Sequence, residues 1–401
     1  MATDIRVAPS DLQEDRYSRL RLIPWWDEAK IRAARLLVVG AGALGNEILK
    51  NLALLGFQNI VVVDLDRIEE SNLSRAVLFR ESDVGQYKAH VAARSVRAIS
   101  PDATVQPIVG DIVHRLGLGL FAWCDAVIAG LDNREARLWI NRAAWKMNRP
   151  WIDGGIEGIN GVVRVFKSGE PPCYECTLGA TDWELLERRM SCNLLLREAD
   201  VQGKVATTPT ISSIIAGMQV QELLKLIHGL PTLAGRGYIF EGLNHTSYVV
   251  EYTAKEDCMS HYTFERIMRL PESSHELTLE QLRRRVQQDL HSVDAVVEFS
   301  RDIIHQLVCP HCNATETVFA PVGTIGFAQG RCPQDGLMRR VVTLHSYSGE
   351  EELADRTLDQ LGLPPFDIFV GRSSEDEIAY LIAGDREQVL GPLPAEDCET
   401  R

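Results

Sequence analysis

A six-residue glycine turn, Gly40-Ala41-Gly42-Ala43-Leu44-Gly45, directly follows a short apolar run, Arg35–Val39, and little else in the chain narrows its architecture as much. A helical pattern comes next, with Ile48, Leu49, Leu52 and Leu55 on one face and Gly56 as its stop. Strand, glycine turn and helix in that order predict an α/β, Rossmann-like fold. The glycines let backbone N–H groups approach a phosphate, and the helix N-terminus favours the anion. A second buried strand, Ile60–Val63, ends at Asp64, 19 residues after Gly45. A carboxylate there can accept hydrogen bonds from ribose hydroxyls. Gly40, Gly42, Gly45 and Asp64 are therefore candidate nucleotide-binding residues, and on these alone an NAD-dependent oxidoreductase is the obvious reading.

The alternation continues with a helix over Gly85–Ile99 and strands at Thr104–Val109 and Asp125–Ala129. Short strands between helices imply a mostly parallel sheet covered on both faces, with right-handed crossovers. After Pro150 the pattern changes. Gly161–Lys167 reads as an added strand, residues 169–204 as a loop, and Thr210–His228 as a long helix stopped by Gly229 and Pro231. A small α+β unit is expected over residues 276–386. It has a helix at Leu277–Leu290 and strands at Ala295–Phe299, Val341–His345, Phe366–Val370 and Ile378–Ile382. A short helix is expected at Leu353–Leu361, and residues 309–335 form a cysteine-bearing insert. The first domain is expected over 16–270, and residues 1–15 and 387–401 read as polar, mobile tails.

Charge and cysteine usage remove several function classes. Lys plus Arg number 42 against 56 Asp plus Glu, for a net charge of −14, which argues against a nucleic-acid or anionic-membrane binder. No apolar run reaches the roughly 18–20 residues that span a bilayer. The N-terminus carries Asp4, Asp11, Glu14 and Asp15 in place of a signal core, so a cytoplasmic protein is expected. Nine cysteines, four of them in two C-x-x-C pairs, point to metal or thiol chemistry rather than disulfides.

Residues after Asp64 argue against a dinucleotide carrier. Asn72 and Arg75 follow closely, Lys88 closes Gly85-Gln86-Tyr87-Lys88, and Asp132 lies in Gly130-Leu131-Asp132-Asn133. A triphosphate attacked at its α-phosphorus needs cations around it and usually Mg²⁺, for which Asp is the natural ligand.

The order RYSR, GAGALGNEILKNLALLG, VDLDRIEESNLSR, GQYK and LDNREAR resembles the adenylation domain shared by ubiquitin-activating enzymes and the bacterial ThiF and MoeB proteins, over about residues 16–260. The resemblance implies that Asp64 holds the ribose of ATP, that Asn72, Arg75 and Lys88 hold its phosphates, and that Asp132 holds Mg²⁺. Arg19 matches the arginine that members reach across a homodimer to the partner's ATP. The implied reaction is attack by a protein's C-terminal carboxylate on the α-phosphate. That nucleophile is already ionised at neutral pH, so positioning and charge neutralisation carry the catalysis. An acyl-adenylate can pass its acyl group to a thiolate, and Cys192, beside Arg188 and Arg189, is the candidate.

Two further patterns suit Zn²⁺. Cys173-x-x-Cys176 and Cys258-x-x-His261 offer three thiolates and an imidazole, where the family usually has four cysteines. Cys309-x-x-Cys312 and Cys332-x-x-Asp335 look like the knuckles of a zinc ribbon, with Asp335 where cysteine is usual; His305, His311 and His345 are other candidates for the fourth ligand. A different arrangement joins Cys173 and Cys176 to Cys309 and Cys312. The 276–386 unit resembles, more weakly, the ubiquitin-fold domain that recruits a conjugating enzyme. The expected function is activation of a ubiquitin-like protein: adenylation, thioester formation and hand-over to a conjugating enzyme. Alternatives are a sulfur-carrier adenylyltransferase of the ThiF/MoeB type, the NAD-dependent oxidoreductase and a scaffold without catalysis.

Overall fold

The computed structural model describes residues 14–190 and 206–395. α1 (Glu28–Ala33), capped by the Asp27 carboxylate, leads into β1 (Arg35–Val39), and the glycine turn then opens α2 (Ala43–Leu55), which Gly56 ends at φ 89°. There follow β2 (Asn59–Val63), α3 (Lys88–Ile99), β3 (Thr104–Ile108), α4 (Gly119–Trp123), β4 (Ala126–Ala129), α5 (Arg134–Lys146) and β5 (Trp151–Glu157). These five strands are parallel, in the order β3-β2-β1-β4-β5. Both faces are covered, which is why the central strands are apolar throughout. Val38, Val62 and Ile128 pack with Ile48 and Leu52 of α2, while Leu37, Val61 and Val127 pack with Phe121, Leu138 and Ile140.

β6 (Asn160–Phe166), α6 (Ala180–Met190), α7 (Pro209–His228), β7 (Arg236–Glu241) and β8 (Thr246–Glu251) complete this half. β6, β7 and β8 extend the sheet antiparallel to eight strands. The expected loop over 169–204 is corrected at Ala180–Met190, which is helical. Asp182 accepts a hydrogen bond from the Gly179 N–H at 3.1 Å, and Leu186 is buried in the apolar cluster, with Trp183 packed against it. Residues 191–205, with Cys192, lie outside the described residues.

The second unit contains β9 (Ile267–Leu270), α8 (Leu279–Asp289), β10 (Val296–Val308), β11 (Thr315–Pro321), β12 (Arg340–Tyr347), β13 (Ile368–Arg372), β14 (Glu377–Ile382) and α9 (Arg386–Leu390). Its strand order is β11-β10-β13-β14-β9, with β12 also on β10; β9 and β14 are parallel. Thr278 and Gln281 form a capping box at the start of α8, which lays Leu282 and Val286 on the sheet. The expected helix at Leu353–Leu361 is instead two short turns, Glu351–Leu353 and Asp359–Leu361. The backbone between them is taken by the entry to α8, whose Leu279 N–H donates to the Arg356 carbonyl at 2.9 Å.

The two units share one apolar cluster. Phe366, Ile368, Ala379 and Leu381 pack with Phe121 and Trp123. The Leu118 N–H donates to Asp367 at 2.8 Å, and the Gly119 N–H to the Phe366 carbonyl at 2.9 Å. The expectation of a polar tail from residue 387 is also corrected. Leu390 and Leu393 are buried, and the Trp123 indole donates to the Pro394 carbonyl at 2.9 Å.

Candidate functional site

A cavity of about 1330 Å³ opens at the C-terminal ends of β1, β2 and β4. Gly40, Gly42, Asp64, Asn72, Arg75, Lys88 and Asp132 all line it, so side chains spread over 93 residues of sequence (132 − 39) meet in one space. Gly45 and Arg19 do not line it. Gly45 has a packing role: a Cβ there would stand 1.9 Å from the Gly40 carbonyl oxygen. Gly40 needs its glycine too, with φ 92° and the Gly130 carbonyl 2.6 Å from where a Cβ would lie. Gly42 differs, since a Cβ there would meet nothing within 4 Å and would project into open cavity. Gly45→Ala is therefore expected to cost ~3 kcal/mol or more in stability. Gly42→Val should fold and melt nearly as the parent but lose binding of a fluorescent ATP analogue. Equal melting curves for the two variants would contradict this division of roles.

The turn is held by a residue absent from the sequence reading, Asn46. Its side-chain amide is buried on α2 and donates to the carbonyls of Ala41 (2.7 Å) and Gly42 (3.0 Å), while its oxygen accepts from the Leu78 N–H at 2.9 Å. It thereby ties the glycine turn to the segment that carries Asn72 and Arg75. A polar residue on the otherwise apolar face of α2 was the available signal.

Asp64 accepts from the N–H groups of Ala41 (2.7 Å) and Asp66 (2.8 Å). Burial raises the pKa of its carboxyl above the ordinary value, against the opposing pull of the Lys88 charge and these two donors. Lys88, the first residue of α3, is 9% exposed and places Nζ 2.7 Å from Asp66. Asp66 is thus a second carboxylate of the site that sequence reasoning passed over. The Arg75 guanidinium donates to the Ser71 carbonyl at 2.6 Å, and the Asn72 side chain accepts from the Glu69 N–H at 2.9 Å.

Asp132 is exposed at the entry to α5 but does not cap it. Asn133 is the cap, accepting from the Glu135 N–H at 2.9 Å, which leaves the Asp132 carboxylate to the cavity. Asp153 is fully buried between Arg137 (2.8 Å) and Arg164 (3.0 Å), both of which line the cavity. Burial pushes that carboxyl up, but the two guanidinium groups outweigh it and hold it below the usual carboxylate range.

Both proposed metal clusters assemble. The ligand atoms of Cys173, Cys176, Cys258 and His261 lie within 4.8 Å of one another. The Cys173 and Cys258 sulfurs are 3.5 Å apart, and the Cys176 sulfur is 3.4 Å from His261 Nε2. A tetrahedral Zn²⁺ with bonds of about 2.3 Å separates two sulfurs by ~3.8 Å, so the donor set fits. Trp145 stacks on the His261 ring at 4.6 Å. Glu175, paired to Arg142 at 2.9 Å, accepts from Ser260 at 2.5 Å, and Ser260 in turn accepts from Asn141 at 2.9 Å. The ligand atoms of Cys309, Cys312, Cys332 and Asp335 also lie within 4.8 Å of one another. His311 contacts Asp335 at 3.2 Å rather than joining this set, His345 pairs with Asp302 at 2.8 Å, and His305 packs on Phe319. The arrangement joining Cys173 and Cys176 to Cys309 and Cys312 is not formed.

SUMO-activating enzyme subunit 2 of Dictyostelium discoideum is 40% identical over 148 residues, 37% of this chain and 22% of that protein. The NEDD8-activating enzyme E1 catalytic subunit of Schizosaccharomyces pombe is 40% identical over 151 residues, 36% of this chain and 34% of that one. This chain therefore spans between about a fifth and a third of these curated relatives. The crystal structure of E. coli MccB with ATP shares the fold, at a TM-score of 0.52 and 22% identity, covering 62% of this chain and 74% of that one. The ThiF family model matches residues 15–260, more than half of the chain and all of the region that builds the cavity. The chain belongs to the ThiF family.

Proposed function

We propose that this protein activates a ubiquitin-like protein by adenylating its C-terminal carboxylate. The observation that carries this reading is the meeting of Lys88, Arg75, Asn72 and Asp132 around the open cradle at Gly42. The naming of relatives as SUMO- and NEDD8-activating enzymes supports it. The Asp64 carboxylate would take the ribose, and Gly42 would let the triphosphate lie on the N-terminus of α2. Lys88 and Arg75 would neutralise charge as the carboxylate oxygen attacks the α-phosphorus and the bond to the bridging oxygen breaks, releasing pyrophosphate. The exposed, uncommitted Asp132 carboxylate fits Mg²⁺, which when bound would offset phosphate charge. Arg19, exposed and away from its own chain's cavity, would serve the partner's site in a homodimer.

The Cys192 thiolate would then attack the acyl carbon, with AMP as leaving group, and the second unit would receive a conjugating enzyme. Structural Zn²⁺ at Cys173, Cys176, Cys258 and His261 would fix the end of this half. Cysteines gathered into metal-ligating clusters suit a reducing, cytoplasmic setting.

ATP–pyrophosphate exchange driven by a ubiquitin-like protein ending in glycine tests the reading. Asp132→Ala should lower exchange roughly 10²-fold or more while melting as the parent does. Parent-like exchange by that variant would refute the role of Asp132. A reductant-sensitive adduct lost in Cys192→Ala distinguishes thioester formation from adenylation alone, the sulfur-carrier alternative.

A further inference from the structure

The insert between β10 and β12 has a very small core. The apolar cluster under it contains three buried side chains, Ile304 and Leu307 of β10 and Ile325 of the insert itself. A unit with so little apolar burial needs a staple. The four ligand atoms of the second cluster are positioned as one. The Cys312 and Cys332 sulfurs are 3.6 Å apart, and the Cys309 sulfur is 3.3 Å from the Asp335 carboxylate. Two tight turns present them: the Cys309 N–H donates to the Ala314 carbonyl at 2.9 Å, and the Gly336 N–H to the Cys332 carbonyl at 2.9 Å. Cys309 and Cys332 are buried. The cluster lies beyond residues 15–260, so the ThiF match does not account for it.

The other end of the insert rests on the nucleotide half. Gly323, at φ 82°, lies against the His114 ring so closely that a Cβ would stand 2.5 Å from it. Ile325, two residues on, anchors this loop to the insert's core. Arg301 of β10, whose side chain is 6% exposed, donates to the carbonyls of Val113 (3.0 Å) and Leu116 (2.7 Å) and packs over Trp139. The segment it grips begins at Gly110, Asp111 and Ile112, which form one wall of the cavity.

We propose that Cys309, Cys312, Cys332 and Asp335 bind one Zn²⁺, and that this ion makes the insert a buttress that holds the 110–118 segment, whose first three residues line the nucleotide cavity, in place. Three thiolates and a carboxylate suit Zn²⁺ in a site without catalytic vacancy. Without the ion the insert loses its staple, Gly323 moves off His114, and the wall loosens. The effect on nucleotide affinity rests on the proposed function; the zinc and the wall do not.

The test uses the full chain. Zinc content by mass spectrometry should be two per chain in the parent and one in the Cys312→Ser/Cys332→Ser variant. Amide hydrogen exchange over residues 111–118 should quicken at least ~10-fold in that variant. Gly323→Val should retain both ions yet quicken exchange over the same residues, because its side chain cannot fit against His114. Binding of a fluorescent ATP analogue should weaken several-fold in both variants. One zinc in the parent overturns the site. A variant that loses one zinc with unchanged exchange at 111–118 overturns the buttress. If exchange quickens as expected but the parent binds no ATP analogue, the buttress stands and the reading of the cavity as an ATP site falls.

Discussion

Lys88→Ala should reduce ATP–pyrophosphate exchange by roughly 10²–10³-fold, the scale of losing one preorganised group that stabilises developing charge. Lys88 is nearly enclosed by the cavity wall, so its ammonium acts in a medium where charge is poorly screened. It also stands at the start of α3, where the helix dipole adds to the attraction for an anion. The stability cost should be small. The partner left behind, Asp66, has a side chain that is 56% exposed and can take water in place of the ammonium. Lys88→Arg keeps the charge but not the compact point contact, and should recover only part of the activity. Exchange rates and melting curves measured on the same preparations check this. A variant that melts much earlier and loses activity in proportion would show that Lys88 acts through folding.

Cys176→Ser should remove zinc from the first cluster and lower the melting temperature by ~6–12 °C, corresponding to a loss of about 3 kcal/mol. Cys176 is buried where two separate segments, 173–176 and 255–261, meet, with its sulfur close to Cys173 and His261 and accepting from the Lys255 N–H at 3.4 Å. The apolar cluster there is small, Trp145 with the cysteines themselves, so the metal acts together with the polar network of Glu175, Arg142, Ser260 and Asn141 in joining them. Thr177→Ala is the control on the same turn. It removes one hydrogen bond, from the Thr177 hydroxyl to the Tyr174 carbonyl at 2.7 Å, and should cost about 1 kcal/mol. Zinc analysis and calorimetry of both variants decide the matter. Full zinc content in Cys176→Ser, with a shift no larger than that of Thr177→Ala, would remove the metal from the account.

The parts of this fold that were legible in the sequence are those whose signals are local. β1, the glycine turn and α2 announce themselves within about twenty residues, as does β2 with Asp64 at its end. β13 and β14 were legible in the same way, as the two apolar runs Phe366–Val370 and Ile378–Ile382. α6 escaped because its residues are mostly polar and Leu186 is its one deeply buried apolar side chain among those described. The β7–β8 hairpin escaped because β8 is exposed along almost its whole length, which erases the alternation that marks a strand. Residues 387–395 read as a tail because Leu390 and Leu393 find their cover on Trp123, more than 250 residues away in sequence. The site divides in the same way. Gly40, Gly42, Asp64, Arg75, Lys88 and Asp132 stood out by type and order. Asn46 and Asp66 did not, because their importance comes from partners met only through space.

A crystal structure with a non-hydrolysable ATP analogue would test the cavity itself. The triphosphate should lie across Gly42, with Lys88 Nζ released from Asp66 and about 3 Å from an oxygen of the α-phosphate, and with Arg75 and Asp132 around the same chain of phosphates. An analogue bound with its phosphates directed away from Arg75, Lys88 and Asp132, while Lys88 stays paired to Asp66, would contradict the assignment.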